Sequence, residues 1–252
     1  MRRALLPLIG AAAFLAAWEI GCRAFAVRPV LLPSPGLVLE ELVAAPGWFL
    51  EHTFYTVGVT LAGFAVAGVF GVLFAILIVE WKLLERLLFP LFVALNSVPK
   101  VALAPLFVIW FGTGAEPKVA IAFLIAVFAV VIDTALGLRS VPPDTIDLAR
   151  TLKGSRWKVL TRIKLYCAMP HIFAGLKVAM SLALVGAIVG EFVSSQRGLG
   201  YVIMSAQGMF DTPRVFAAIC ILAVVGVALI EAVALAERIA MPWHHSTQAA
   251  SH

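Results

Sequence analysis

Apolar positions in this chain fall into long unbroken blocks, with little of the strict alternation that marks half-buried strands. Six blocks reach or approach the roughly 20 residues a helix needs to cross a bilayer. They predict helices over about Ala4–Cys22, Thr53–Val79, Leu87–Phe111, Val119–Leu138, Ile172–Gly190 and Val215–Leu235. Thr53–Val79 is the clearest, with 27 positions and no charge. Leu87–Phe111 is the least regular, because Pro90, Pro99 and Pro105 interrupt it. A proline-broken helix at membrane depth persists where neighbours or a wet path satisfy the freed carbonyls. That block is therefore a candidate pathway lining, and a merely kinked helix packed in a bundle fits the pattern as well.

Composition agrees with the pattern. Of the 252 residues 62% are hydrophobic and only 13% charged, against about 25% charged in soluble domains. A water-soluble domain could not cover its core with so little polar surface. The fold class expected is an all-α polytopic membrane domain of six spans, occupying 1–252 as one unit, with a helical loop near 139–168 and a tail from about 240.

Charge adds orientation. Seven Lys/Arg and two Asp lie between Arg139 and Lys164, whereas the remaining twelve bases and twelve acids cancel. One basic loop on an otherwise neutral apolar chain is a cytoplasmic-loop signature, not a nucleic-acid face. With the N-terminus inside, inner segments hold twelve Lys/Arg and outer segments five; both termini are then cytoplasmic. Arg2-Arg3 before the first block resembles a secretory leader, but Glu19 and Arg23 beside the would-be cleavage point argue for an uncleaved anchor. Cys22, Cys167 and Cys220 are odd in number and scattered, with no disulfide framework or metal spacing.

Enzymatic constellations are missing from the sequence. There is no Gly-x-x-x-x-Gly-Lys-Ser/Thr phosphate loop; Lys153-Gly154-Ser155 lacks the upstream glycine and the preceding strand. His52 and His171 sit near block ends, and His244, His245 and His252 in the tail, so no histidine is placed to activate a buried serine. The basic loop is more informative. Pro142-Pro143 followed by Asp144 and Asp147 is a helix start, running to about Leu152 and stopping near Gly154. Ser155 can cap a second helix, Arg156 to about Ala168, lying on the membrane surface with Trp157, Leu160, Ile163 and Cys167 on one face. Lys100, among the prolines, invites a pathway role for an anionic solute or an ion pair with Asp133 or Glu191. Asn96, Pro99 and Pro105 belong to the same candidate lining, and Glu191, closing the fifth block on the outer side, is a further pathway candidate. Lys177 and Asp133 lie near block ends, within snorkelling reach of the surface. Gly63, Ala67 and Gly71, and Gly186 with Gly190, permit close helix approach, within one chain or at a dimer seam.

Asp147-Leu148-Ala149-Arg150-Thr151-Leu152-Lys153-Gly154, then Ile163, Leu165 and Pro170, resembles the EAA loop of ABC importer permeases. That pattern is Glu-Ala-Ala, three residues, Gly, nine residues, then Ile-x-Leu-Pro. Asp147 stands for Glu, Leu148 for the first Ala, Lys153 for Gly with Gly154 one place late, and Tyr166 for Pro; Ala149, Ile163 and Leu165 agree. Leu32-Pro33-Ser34-Pro35, Pro99–Gly112 (PKVALAPLFVIWFG) and Gly198-Leu199-Gly200-Tyr201 after Glu191 are similar to the permeases for nitrate, taurine and aliphatic sulfonates.

The resemblance implies a permease homodimer, two ATP-binding subunits docked inside, and a periplasmic binding protein delivering a small solute of that class, an anion in the reading that Lys100 favours. ATP and Mg would belong to the partner ATPase, with no cofactor or metal in this chain. Asp147–Gly154 would be the coupling segment, and Glu191 with Gly198, Gly200 and Tyr201 would lie near the outer gate and the binding-protein footprint. Membrane lipid surrounds such a chain; nucleic acid is no partner. A stand-alone channel or secondary carrier is the alternative, and it would want a cluster of intramembrane carboxylates where only Asp133 and Glu191 are visible. A membrane-bound enzyme would need the missing histidine–nucleophile pair.

Overall fold

The computed structural model describes residues 2–151 and 155–243, and every described element is helical. In chain order they are α1 (Arg2–Ala24), α2 (Pro35–Ala44), α3 (Pro46–Glu80), α4 (Lys82–Asn96), a 3₁₀ turn (Lys100–Leu103), α5 (Ala104–Phe111), α6 (Glu116–Arg139), α7 (Pro143–Thr151), α8 (Arg156–Val159), a π turn (Leu160–Lys164), α9 (Leu165–Ser194), α10 (Leu199–Gly208) and α11 (Thr212–Ala240). Among the described residues four helices are long and apolar enough to cross a membrane, and a fifth span results if α4 with Lys100–Phe111 counts as one. The predicted first block falls in α1, a helix of 23 residues.

Contacts group the chain into two compact units, one from 1–56 and 195–225, the other from 57–194 and 226–252. In the larger unit α6 is the central element, with α3 and α9 against it. The close approach is made at glycines. A Cβ at Gly63 would stand 2.5 Å from the Ala122 Cβ, one at Gly71 2.7 Å from Val130, and one at Gly186 2.6 Å from the Ala122 Cα. The small-residue spacing in α3 and α9 therefore serves packing within the chain. Where lipid is as apolar as the side chains, such van der Waals fit carries the association. Around it gather Ala67, Ala75, Val130, Val131, Ala179 and Ala183, all fully enclosed.

Two predicted boundaries change. The block Leu87–Phe111 is not one helix but two pieces bent by 85°. Pro90 is absorbed inside α4, Pro105 sits in the first turn of α5 where its missing N–H costs nothing, and the break falls at extended Pro99. Conversely, the expected surface helix Arg156–Ala168 is not separate: it runs through the π turn into α9, a 39-residue helix from Arg156 to Ser194. Ser155 does cap it, accepting a hydrogen bond from the Lys158 N–H at 3.3 Å. The turn is widened at Leu160–Lys164, where the Leu165 N–H reaches back to the Leu160 carbonyl, and the helix continues through it without stopping. Pro170 lies inside α9.

The smaller unit is built around Val38, Phe49, Leu199, Val202, Ala217 and Ala218. Its Leu32–Pro35 segment opens α2, and the Gly36 N–H donates to the Glu19 carboxylate of α1 at 2.9 Å. Glu19, which also accepts from Arg23 at 2.6 Å, thus caps the next helix.

Candidate functional site

The broken helix places Asn96, Pro99 and Pro105 at the surface and Lys100 half-buried at the start of the 3₁₀ turn. The Lys100 ammonium donates to the Asn96 carbonyl at 2.9 Å and to its side-chain oxygen at 2.8 Å, and it lies 4.4 Å from the centre of the Phe128 ring. These contacts satisfy a carbonyl left open by the end of α4. Among the described residues no ion pair joins Lys100 to Asp133 or Glu191. Its local role is a helix cap with a cation–π contact, which the sequence reading did not foresee. Gly112, at φ +80°, ends α5 with its N–H on the Val108 carbonyl at 2.8 Å.

Glu191 sits in a different setting. It is 1% exposed, in the same unit as Lys118, which is 2% exposed. The Lys118 stem lies on Gly190, where a Cβ would stand 2.9 Å from the Lys118 Cα. Its ammonium donates to the Thr113 carbonyl at 3.1 Å and the Gly114 carbonyl at 2.6 Å, and the Glu191 and Glu116 charges act on it. Counting loop charges treats Lys118 as an exposed outer lysine. The one clue in the sequence was Gly190, a notch whose occupant the spacing could not name. Lys177, read as within snorkelling reach of the surface, pairs with Glu237 of α11.

The loop residues divide. Asp147 and Leu148 are exposed on α7, and Ala149 is half-buried; the Arg150 backbone is helical. Lys153 and Gly154 lie outside the described residues. The α7 start follows the proline-and-acid pattern, with the Thr145 N–H on the Pro142 carbonyl at 3.1 Å. Ile163 and Leu165 are half-buried beyond the turn, Leu165 against Leu138, Leu160 and Ala168. Tyr166, where the pattern has proline, stacks on Trp243 with ring centres 4.5 Å apart. An Arg139–Glu85 pair at 2.6 Å holds the end of α6 to α4.

In the smaller unit Gly198 and Gly200 are buried and Tyr201 half-buried at the start of α10. Gly198 adopts φ +102°, which a side chain would resist. Its N–H donates to His52 Nδ1 at 2.9 Å, and the Leu199 N–H donates to Thr56 Oγ1 at 2.8 Å. Two side chains one turn apart on α3 thus accept from two N–H groups at the start of α10. The Tyr201 ring lies 5.9 Å from His52. Sequence reasoning noted His52 only as a residue near a block end; its partner is 146 positions away and left no local trace.

A helical chain of this kind, with a broken span and a short exposed helix between long apolar ones, has the architecture of a transport permease. An inward-facing structure of the MetNI methionine ABC transporter matches the fold at a TM-score of 0.59, with 17% identity over 74% of this chain and 96% of that one. The chain is 35% identical to the riboflavin transport system permease protein of Chloroflexus aurantiacus, over 91% of its own length and 86% of the relative's. It is 34% identical to the formylaminopyrimidine transport permease protein of Halalkalibacterium halodurans, over 96% of both, and 31% identical to the taurine transport system permease protein of Escherichia coli, over 98% and 92%. Residues 67–238 match the model of the binding-protein-dependent transport system inner membrane component, and the chain belongs to that family. It is the membrane permease subunit of an ABC importer. ATP hydrolysis belongs to a separate subunit, and this chain is not itself an enzyme.

Proposed function

We propose that the chain crosses the membrane six times with both termini cytoplasmic, as one permease domain that pairs with a second copy of itself. Two ATP-binding subunits engage Asp147–Gly154 from inside, and a periplasmic binding protein delivers a small organic solute near Gly198–Tyr201. The family match over 67–238 carries the importer reading. The exposure of Asp147 and of Leu148, at 62%, on a short helix between α6 and the Arg156–Ser194 helix supports the coupling role. The bend at Asn96–Lys100, with Pro99 and Pro105, supports a pathway lining there, whereas the burial of Glu191 favours a packing role for that residue.

The relatives set the cargo class. Aliphatic sulfonate, bicarbonate and nitrate permeases make an anion the first candidate, and the taurine permease adds a zwitterion bearing a sulfonate; the riboflavin and formylaminopyrimidine permeases put nitrogen heterocycles beside it. The test is co-purification in mild detergent of wild type and Asp147→Arg. An ATP-binding subunit that accompanies wild type and is lost from the variant is the expected result. Retention by both removes the coupling assignment. A well-folded wild type with no ATPase partner returns the stand-alone carrier reading.

A further inference from the structure

Two adjoining hollows open where α3 hands over to α4 beside the Arg156 end of the long helix. The larger, about 560 Å³, is walled by Glu80, Lys82, Ile146, Arg156 and Lys164 among others. The smaller, about 290 Å³, is walled chiefly by Leu73, Ile76, Leu77, Trp157 and Leu160. Glu80, Trp81 and Arg156 line both, so the two adjoin, with Lys82 and Lys164 only in the larger and most of the aliphatic side chains in the smaller.

The charges in the larger hollow do not cancel. Glu80 is held by Lys164 at 2.5 Å, which neutralises that pair. Lys82 and Arg156 remain, both exposed, and neither has an acidic partner among the described residues. Two cations without an acidic partner among the described residues therefore stand beside a hollow lined mainly by apolar side chains. Trp81, 55% exposed, lines both hollows and Trp157, 71% exposed, lines the smaller; exposed indole rings beside bases are the arrangement found at the level of lipid headgroups.

We propose that this double hollow binds one anionic phospholipid, beyond the lipid that any span meets. The phosphodiester sits between Lys82 and Arg156, whose guanidinium suits bidentate contact with phosphate oxygens. One acyl chain lies along Leu73, Ile76 and Leu77. Basic pockets at the ends of spans recognise such headgroups by this charge pattern. A free anion would leave the aliphatic hollow empty, a zwitterionic lipid would bring its own cation to the two bases, and an acidic peptide would meet the charges only. The proposal depends neither on the side of the membrane that α7 faces nor on its coupling role.

The test is native mass spectrometry of the full-length permease in mild detergent, with phosphatidylglycerol and phosphatidylethanolamine of identical chains in equal amount. Wild type retains one phosphatidylglycerol per chain with a preference of about tenfold, and Lys82→Gln/Arg156→Gln brings the two lipids to parity. Chain-brominated phosphatidylglycerol quenches wild-type tryptophan emission, and Trp81→Phe/Trp157→Phe loses most of that quenching while keeping both charges. This second readout stands even where the charge variant folds poorly. Equal retention of the two lipids by wild type overturns the proposal, as does a preference unchanged in the charge variant. Competition by soluble glycerol phosphate as effective as by the lipid makes this a free-anion site. Complete displacement on adding the ATP-binding subunit makes it a protein-docking face. Either outcome also overturns the proposal.

Discussion

α6 and the α4–α5 pair are both strongly apolar, yet the protein treats them in opposite ways. Over half of the most apolar stretch of α6, 56%, is buried within the chain, against α3 and α9. Along α4 and α5, by contrast, Leu87, Leu91, Ile109 and Trp110 are 58–77% exposed, and the helix breaks between them. Hydropathy reports that a segment leaves water, but not whether protein, lipid or another chain receives it. The difference lies in the neighbours. Glycines at Gly63, Gly71, Gly186 and Gly190 let other helices reach α6, whereas the break at Pro99 bends the α4–α5 segment by 85°.

If that contrast is right, substitutions on the two sides should differ in scale. The largest effect is expected at Lys118. Lys118→Met strips the buried cation from a site where Glu191 stays enclosed, and breaking such a buried pair costs about 3–5 kcal/mol. The loss should appear as a lowered unfolding midpoint in detergent, and adding Glu191→Gln should recover much of it. A single variant as stable as wild type would show that the buried charge of Glu191 does not depend on Lys118.

Gly186→Val comes next. Its new side chain meets the Ala122 backbone, and overpacking of this kind costs about 1–3 kcal/mol. An unchanged midpoint would mean that α6 and α9 can part without penalty, and the contrast would fail. Lys100→Met, on the broken segment, removes a helix cap worth about 0.3–1 kcal/mol. With so little stability at stake, its uptake assay is informative: slower entry of an anionic solute with a neutral one unaffected supports a pathway role, and equal rates for both leave only the cap. The smallest effect is expected for Ile109→Ala, at 77% exposure, within about 0.5 kcal/mol of wild type. A larger loss confined to the dimeric fraction would identify that face as a seam between copies.

How far the site was legible follows the range of each interaction. The α7 start was readable because Pro142, Pro143 and Asp144 act on their own backbone, and so was the Ser155 cap. The notches Gly63, Gly71 and Gly186 were readable as notches, since small residues at helical spacing have one obvious use. The seat of Lys118, the His52 and Thr56 cap on α10, and the Lys177–Glu237 pair were not readable. Each joins residues whose separation carries no local signature, and a lysine at the edge of an apolar block looks the same whether water or a glycine notch receives it.

The residues alone determined that this chain is helical and membrane-embedded, because a bilayer leaves a long apolar segment no other way to satisfy its backbone. The prolines also marked the block that would be irregular. Only the tertiary structure decided which proline breaks it. Pro90 and Pro105 sit where a helix tolerates them, and the bend falls at Pro99, with Lys100 folding back to hold the Asn96 carbonyl. It likewise decided that Arg156–Ser194 is one helix, since a widened turn at Leu160–Lys164 carries the chain on where sequence signals alone suggested a stop.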